Sequence, residues 1–196
     1  MAQKIEKHLI NKALSGDSTA FGELYFAFRG SIYGFAYRML RETAMAEDVT
    51  QEVFMFLLEN PKRFDPERGE LLSFLCGIAR NKIIQHLRKH STKFEIFDND
   101  LNKYDDFENA EFNPLEVLLN EELSEKLEAK IAELPPLQRE VLILREIEEL
   151  PYLEIARITE TDLNQVKVRL HRARKNLANE LKPYLIGKED KYYEMY

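Results

Sequence analysis

The sequence predicts an all-α protein made of two small helical domains, and three observations carry that prediction. Apolar residues recur at helical spacing along most of the 196-residue chain. Only seven glycines and seven prolines interrupt it. A stretch rich in acidic residues and without sustained periodicity separates the two striped halves. We therefore expect a first domain over residues 1–93, an acidic linker over 94–124, a second domain over 125–183 and a tail over 184–196.

The first two helices follow from short-range signals at the start of the chain. Lys4 to Leu14 has the pattern of a short helix, and Asp17 or Ser18 can cap the helix that follows. We expect Gly30 to interrupt this second helix. Its apolar face comprises Phe21, Leu24, Tyr25 and Phe28 before that glycine, and Ile32, Phe35, Ala36 and Met39 after it.

The third predicted helix is amphipathic and acidic. Its apolar stripe consists of Val49, Val53, Phe56 and Leu57. Asp48, Gln51, Glu52 and Met55 lie away from that stripe, on a face that can meet a partner. The alternative is a solvated face, because acidic residues near a helix N-terminus are favoured by the macrodipole.

A polar turn over Asn60 to Gly69 leads to a fourth helix, which changes from apolar to basic. Its buried stripe is predicted to contain Leu72, Cys76, Ala79, Ile83 and Leu87. Cys76 is the only cysteine, and its place on the stripe indicates a buried structural thiol. Residues 79–93 hold five lysines or arginines and no acid, which is typical of a phosphate-binding surface. A basic helix end that complements its own dipole is the alternative.

The second domain follows a segment of strong negative charge, since residues 95–128 contain twelve acids and two bases. Asn113-Pro114 has the form of a helix start, and Leu134-Pro135-Pro136-Leu137 separates the helix it opens from the next one. After Asn113-Pro114, Leu115, Leu118, Leu119 and Leu123 follow at helical spacing, and Leu127, Ile131 and Leu134 extend that face. The apolar positions predicted for the next two helices are Leu137, Val141 and Leu144, and then Leu153, Ile155, Ala156 and Ile158.

The last two helices of this domain predict a helix-turn-helix. Asp162 and Gln165 form a capping box at the start of the final helix. Its buried face comprises Val166, Leu170, Ala173, Leu177 and Leu181. The opposite face comprises Asn164, Val168, His171 and Lys175, flanked by Lys167 and Arg172. Amide side chains such as Asn164 and Gln165 can read base edges, whereas the basic ones hold phosphates. A solvated basic helix is the alternative.

Several other classes of protein are disfavoured. No apolar run approaches the roughly 20 residues that span a bilayer, and the N-terminus lacks the apolar core of a signal peptide, so we expect a cytoplasmic protein without membrane insertion. The four histidines do not form a metal-ligand spacing with cysteine or with a pair of carboxylates, and the His86 and His90 pair lies on a basic face that disfavours a cation. No glycine-rich phosphate loop or nucleophile elbow occurs. We expect neither catalysis nor a cofactor. The net charge of −7 conceals two separate basic blocks.

Motifs in both halves resemble those of bacterial sigma factors, most closely the extracytoplasmic-function (ECF) group. In the first half they are Ala46-Glu47-Asp48, Gln51-Glu52-Val53-Phe54, Arg63-Phe64-Asp65-Pro66, Arg68-Gly69 and Ile78-Ala79-Arg80-Asn81. In the second half they are Leu134-Pro135-Pro136, Arg139-Glu140-Val141, Glu154-Ile155-Ala156, Val166-Lys167 and the run from Arg169 to Arg174. Two residues depart from the family pattern: Glu160 stands where the turn usually has glycine, and Pro151 replaces a capping residue.

The resemblance implies three binding surfaces. Core RNA polymerase would be bound by Asp48, Gln51, Glu52 and Met55. The minus-ten element of promoter DNA would be bound and opened by Lys62, Arg63, Phe64, Arg80, Asn81, Lys82, Gln85, Arg88 and Lys89. The minus-thirty-five element would be bound by Asn164, Gln165, Lys167, Val168, His171, Arg172 and Lys175. Phe64 is equally open to interpretation as a core residue of its turn. An anti-sigma factor is a further implied partner.

Two questions stay open from the sequence. A helix-turn-helix regulator that binds duplex DNA without polymerase would share the second domain, and stoichiometric binding to core polymerase distinguishes the two functions. The acidic linker is either a mimic of nucleic-acid phosphates or a solvated tether. Because the acidic segment can shield the basic faces, we expect the isolated protein to bind free promoter duplex weakly.

Overall fold

A computed structural model describes residues 7–90 and 121–193 of the chain, and over those ranges it is helical, with no β-strand. The first half contains α1 (Lys7–Leu14), α2 (Ser18–Leu40), α3 (Thr43–Glu59) and α4 (Leu71–His90). The second half contains α5 (Glu121–Glu133), α6 (Pro136–Leu142), α7 (Tyr152–Thr159) and α8 (Leu163–Tyr193). The start of the first predicted helix, the helix start at Asn113-Pro114 and most of the predicted linker lie outside the described residues.

Helix α2 is the centre of the first half, where α1, α3 and α4 pack around it. Asp17 caps it as predicted, with its carboxylate accepting a hydrogen bond of 3.0 Å from the Ala20 amide. The predicted stripes of α2, α3 and α4 supply the core, and the side chains buried there include Leu24, Ile32, Phe35, Val49, Val53, Leu57, Leu75 and Cys76. Phe54, which lies outside the predicted stripe of α3, is also buried because its ring packs against Tyr25.

The predicted interruption at Gly30 is wrong, because α2 continues unbroken from Ser18 to Leu40. A glycine inside a helix costs about 1 kcal/mol relative to alanine. Phe28 and Ile32 on either side of it are both buried, and burial of such side chains is worth about 1.5–3 kcal/mol each. Packing therefore outweighs the local preference.

In the second half, the predicted stripes of α5 and α8 are buried throughout the positions that the structure describes. Leu127, Ile131 and Leu134 are buried, as are Val166, Leu170, Ala173, Leu177 and Leu181. Helix α6 does not end in a simple turn but continues as a π-helical turn over Ile143–Ile147. Helix α8 reaches Tyr193 and so extends into the predicted tail.

Leu153 is exposed over 63% of its surface, which contradicts its prediction as a core residue. Helix α7 has only eight residues, and it turns Ile155 and Ile158 towards the core. Leu153 is two positions before Ile155, so it faces a different side of the helix. Only the arrangement of neighbouring helices decides which of these two sides is covered.

The turn between α7 and α8 has a left-handed backbone at Glu160, the residue that stands where the family resembled by the sequence usually has glycine. Glu160 has φ 54° and ψ 39°, and the Thr161 amide bonds to the Ala156 carbonyl at 3.1 Å. The Asp162 carboxylate then accepts a hydrogen bond of 2.9 Å from the Gln165 amide and caps α8. Glu160 therefore adopts a left-handed conformation that is uncommon for a residue other than glycine.

The two halves pack against each other, which the sequence did not predict. Helix α7 lies on α4, and α5 and α6 lie on α2. Two acidic residues of the second half, Glu140 and Glu148, are buried where they meet Arg80 and Ser31 of the first half.

Candidate polymerase and nucleic-acid interfaces

The acidic face of α3 is exposed as a continuous surface. Asp48, Gln51 and Glu52 are exposed, and Met55 is exposed over 53% of its surface. Leu58 extends this face with 52% exposure. Sequence reasoning missed Leu58, although its position three residues after Met55 places it on the same side of the helix. The structure therefore brings the four predicted residues together and adds an apolar one.

Five of the nine predicted minus-ten residues line a cleft of about 950 Å³. Arg63, Phe64, Asn81, Lys82 and Gln85 all line it. Lys62 lies in the same turn and is exposed, as is Arg88 further along α4. The side chain of Lys89 lies outside the described residues. The cleft combines aromatic rings, amides and cations, which is the chemistry that single-stranded nucleic acid requires.

Phe64 is a packed residue as well as a wall of this cleft. Only 7% of its surface is exposed, and its ring centroid lies 5.3 Å from that of Phe74. This burial agrees with the alternative interpretation of Phe64 as a core residue of the turn. Arg68 and Phe74 also line the cleft, although neither was predicted as a binding residue and only Arg68 was part of a quoted motif.

Arg80 is turned inwards, into the contact between the two halves. It is 9% exposed, and its Nε donates a hydrogen bond of 2.6 Å to Oε1 of Glu140 on α6. The side chains of Arg80 and Glu140 are only 11% and 3% exposed, respectively. In this arrangement Arg80 holds a carboxylate of the same chain where the sequence predicts a contact with DNA.

The second half supplies the opposite wall of the cleft. Glu154, Arg157, Ile158 and Glu160 of α7 and its turn line it. Glu154 is paired with Arg157 at 2.7 Å. Lys82, on the α4 side, is bonded to Glu52 of α3 at 2.7 Å. The cleft is therefore built from both halves and exists only while they are packed together.

The recognition face of α8 points away from the core, as the projection of the helix predicted. Asn164, Lys167 and Lys175 are exposed, and Gln165, Val168, His171 and Arg172 are half-buried. Arg174, by contrast, bonds through Nε and Nη2 to Glu146 at 3.0 and 2.5 Å, which ties α8 to the π turn. Arg169, which the sequence distinguished only as the first residue of a motif, is buried.

Two carboxyl groups in the contact between the halves have perturbed acidity. Burial raises the pKa of Glu140, and the neighbouring Arg80 and Arg169 oppose that rise. Burial likewise raises the pKa of Glu148, opposed by a hydrogen bond with Ser31 and by the charge of Arg38. Burial also raises the pKa of the Cys76 thiol, which makes it an inert core residue.

Among residues 7–90 and 121–193, no group of three or more His, Cys, Asp or Glu side chains could hold a metal ion. Within the same ranges, no helix combines the length and hydrophobicity that crossing a membrane requires.

Comparisons with known proteins place both halves in one family. The family described as Sigma-70 region 2 matches residues 24–92, and the one described as Sigma-70, region 4 matches residues 124–177. The ECF RNA polymerase sigma factor SigW of Bacillus subtilis is 32% identical over 181 residues, which cover 90% of this chain and 96% of that protein. The ECF RNA polymerase sigma factor SigM of the same organism is 31% identical over 155 residues, which cover 79% of this chain and 91% of that protein.

Solved structures share the fold. The sigma factor RpoE from Bartonella quintana, in complex with the anti-sigma factor NepR, matches with a TM-score of 0.62 at 22% identity, covering 83% of this chain and 96% of that one. CnrH, in complex with the cytosolic domain of CnrY, matches with a TM-score of 0.64 at 22% identity, and the match covers 90% of this chain and 96% of CnrH.

Proposed function

This chain belongs to the ECF group of the sigma-70 family, and on that premise we propose how its surfaces divide the work of initiation. It is a sigma factor that binds core RNA polymerase and directs transcription from specific promoters. The observation that carries this function is that region 2 and region 4 follow one another in a chain that covers 96% of a sigma factor relative.

The exposed face of α3 is the proposed docking surface for core polymerase. Asp48, Gln51 and Glu52 offer acceptors to a basic partner, and Met55 and Leu58 add apolar area beside them. Polar residues around an exposed apolar centre are typical of protein–protein interfaces. In support of this role, Phe54 and Val53 are buried behind the face and hold the helix rigidly.

The cleft and the basic end of α4 are the proposed minus-ten surface. Arg63, Asn81, Lys82 and Gln85 would contact the displaced strand, with Lys62, Arg88 and Lys89 along its backbone. Phe64 and Phe74 would support the wall against which an unstacked base can lie, at about 1–3 kcal/mol per stacked base. Arg80 joins this surface once its bond to Glu140 is released.

The outer face of α8 is the proposed minus-thirty-five surface. The Asp162 cap orients the first turn of α8, where Asn164 and Gln165 can reach base edges in the major groove. Lys167, Arg172 and Lys175 would contact phosphates, and Val168 and His171 lie between them.

The protein is proposed to act by binding alone, with all chemistry carried out by the polymerase. We accordingly place it in the cytoplasm, where core polymerase acts. The solved relatives RpoE and CnrH are each described in a complex, RpoE with an anti-sigma factor. We propose that a comparable inhibitor also binds this chain.

Run-off transcription with core polymerase, followed by mapping of the start sites, tests this function. We expect the chain to bind core stoichiometrically and to confer initiation at defined positions. The variant Asp48→Lys should lose core binding, whereas Glu23→Lys, which changes another exposed acid, on α2, should retain it. A chain that binds promoter duplex yet never binds core would instead be a simple helix-turn-helix regulator.

A further inference from the structure

One basic side chain of α8 is directed towards its own domain and away from the proposed DNA surface. At 3.6 residues per turn, Arg174 lies about 80° from Val166 at the centre of the buried face, whereas Lys175 lies about 180° from it. The Nε and Nη2 atoms of Arg174 both donate to Oε1 of Glu146, at 3.0 and 2.5 Å. The side chains of Arg174 and Glu146 are 30% and 12% exposed, so the pair is largely withdrawn from water.

Glu146 belongs to the π-helical turn Ile143–Ile147, and a neighbouring residue holds this turn against the start of α7. Arg145 donates a hydrogen bond of 3.0 Å from Nη1 to the Leu150 carbonyl, and its guanidinium carbon lies 4.8 Å from the centroid of the Tyr152 ring. Tyr152 is the first residue of α7. Single π turns within helices are frequent at functional sites. This one presents Glu146 to α8 at a place that is fixed relative to the first helix of the helix-turn-helix.

A second polar contact joins α8 to α6 close to the first. Asn176 donates a hydrogen bond of 3.0 Å from Nδ2 to Oε1 of Gln138, which is buried. The apolar packing of Ala173 and Leu177 between these contacts is non-directional. Hydrogen bonds, by contrast, require donor–acceptor distances of about 2.7–3.2 Å and nearly linear angles. The two polar contacts therefore restrict the rotation of α8 about its own axis more than the core alone would.

The rotation of α8 matters because the side chains proposed to read bases lie on the same helix. Asn164 is ten positions before Arg174, or about 15 Å along the axis at 1.5 Å per residue. At a radius of about 5–6 Å, a rotation of about 10° displaces a side chain by about 1 Å. That displacement breaks a hydrogen bond to a base edge, whereas a flexible lysine such as Lys167 can still follow a phosphate. Loss of orientation should therefore reduce base discrimination more than overall affinity.

We propose that Glu146 and Arg174 are positioning residues for recognition of the minus-thirty-five element: the pair sets the rotation of α8, and Arg174 makes no phosphate contact of its own. The inference rests on the proposed minus-thirty-five surface and adds to it two residues that touch no base. It departs from the role that the basic character of α8 indicates for Arg174, because the carboxylate of Glu146 already takes two charge-assisted bonds from this guanidinium group.

Two measurements with core polymerase and the full chain test the proposal. Run-off transcription is compared at a promoter that carries the preferred minus-thirty-five element and at one in which that element is replaced, and the ratio of the two rates measures discrimination. We expect Arg174→Ala and Glu146→Ala each to lower this ratio by about fivefold or more, as the loss of one base contact would. Binding of the polymerase complex to the preferred promoter is then measured over a range of salt concentrations. Both variants should keep the slope of log binding constant against log salt concentration within about 0.3, whereas Lys167→Ala should reduce it by about one.

Two control variants separate positioning from a general loss of stability. Glu146→Gln keeps an oxygen that accepts hydrogen bonds from Arg174, so it should retain the discrimination ratio within about twofold. Lys130→Ala removes a different tie of α8, the 3.1 Å ion pair between Lys130 of α5 and Glu180, and should also retain the ratio. Circular dichroism at the assay temperature checks that each variant is folded.

A contact between Arg174 and a phosphate would give the opposite pattern. The salt slope would then fall by about one in Arg174→Ala, and Glu146→Ala would leave discrimination unchanged, which would overturn the proposal. An equal fall of the ratio in Lys130→Ala would also overturn it, because any loosening of α8 would then be sufficient. If the unmodified chain initiated equally well at both promoters, the result would count against the proposed minus-thirty-five surface itself.

Discussion

Helices α4 and α8 carry similar basic sequences but present them differently. Residues 79–93 hold five bases and residues 163–182 hold six. On α8, Asn164, Lys167 and Lys175 face outwards. On α4, Arg80 is buried against Glu140, and Asn81 and Lys82 line a cleft that the other half closes. A basic stripe therefore predicts an electrostatic surface, whereas its availability depends on what packs over it.

The largest difference between the two helices should appear when the carboxylate that binds Arg80 of α4 is removed and, for comparison, an exposed charge of α8 is removed. Glu140→Ala would leave Arg80 and Arg169 buried without their carboxylate, at a cost of about 3–5 kcal/mol in the free energy of unfolding. Lys167→Ala on α8 should change that free energy by less than about 0.5 kcal/mol, since its side chain is exposed. Urea denaturation followed by circular dichroism measures both. Similar losses in the two variants would remove the distinction between the helices.

A second effect separates base reading from phosphate binding on α8. Asn164→Ala should lower the rate of initiation roughly tenfold, or by about 1–2 kcal/mol, at a promoter that carries the preferred minus-thirty-five element. It should have little effect at a promoter in which that element is replaced. Lys167→Ala should weaken binding at both promoters, and it should reduce the slope of log binding constant against log salt concentration by about one. Run-off transcription over a range of salt concentrations provides the comparison. An Asn164→Ala loss of equal size on both promoters would contradict base reading by this residue.

A smaller effect is expected at the turn that precedes α8. Glu160 adopts φ 54°, a conformation that costs a non-glycine residue about 1–2 kcal/mol. Glu160→Gly should remove this cost from the folded state. The gain is reduced by about 0.5–1 kcal/mol, because glycine makes the unfolded chain more flexible. We therefore expect the melting temperature to rise by about 2 °C. Glu149→Gly is a matched comparison, because Glu149 also has a positive φ of 56°.

The smallest effect should come from a change of pH, because it changes the charge of Glu140 and Glu148 between the halves but removes no side chain. In the packed state the pKa of Glu140, which faces Arg80 and Arg169, is raised, and so is that of Glu148, which faces Ser31, Arg38 and Cys76. Separation of the two halves returns both carboxyl groups to water, where their ordinary pKa is 4.5. Packing is thus favoured below that value and is weakened as the pH rises through the raised values.

Small-angle scattering of the isolated chain measures this linkage as the radius of gyration. We expect the radius to increase as the pH rises from 5 to 8. Glu140→Gln, which cannot ionise, should flatten the dependence. An increase in radius on acidification would show that the sign of the linkage is wrong.

Local patterns predicted the fold of each half well because helices bury residues at a fixed period. All five predicted core positions of α8 are buried, and the caps at Asp17 and Asp162 form as expected. The errors fall where neighbouring elements decide. Helix α2 continues through Gly30 because buried side chains flank it, and Leu153 is exposed because no helix in residues 7–90 and 121–193 covers its side of α7. The assignments of residues to polymerase or DNA, and the domain limits, remain predictions.

The sequence by itself determined that the chain is helical, that its bases are separated from its acids, and that its motifs follow the order of a sigma factor. Spacing, caps and charge runs are local properties, so they can be read without a fold. Only the tertiary structure decided that Arg80 faces Glu140 and that α7 lines the cleft proposed for the minus-ten element. Those two residues are 60 positions apart, and no local pattern specifies which buried carboxylate will meet which arginine when two amphipathic surfaces pack together.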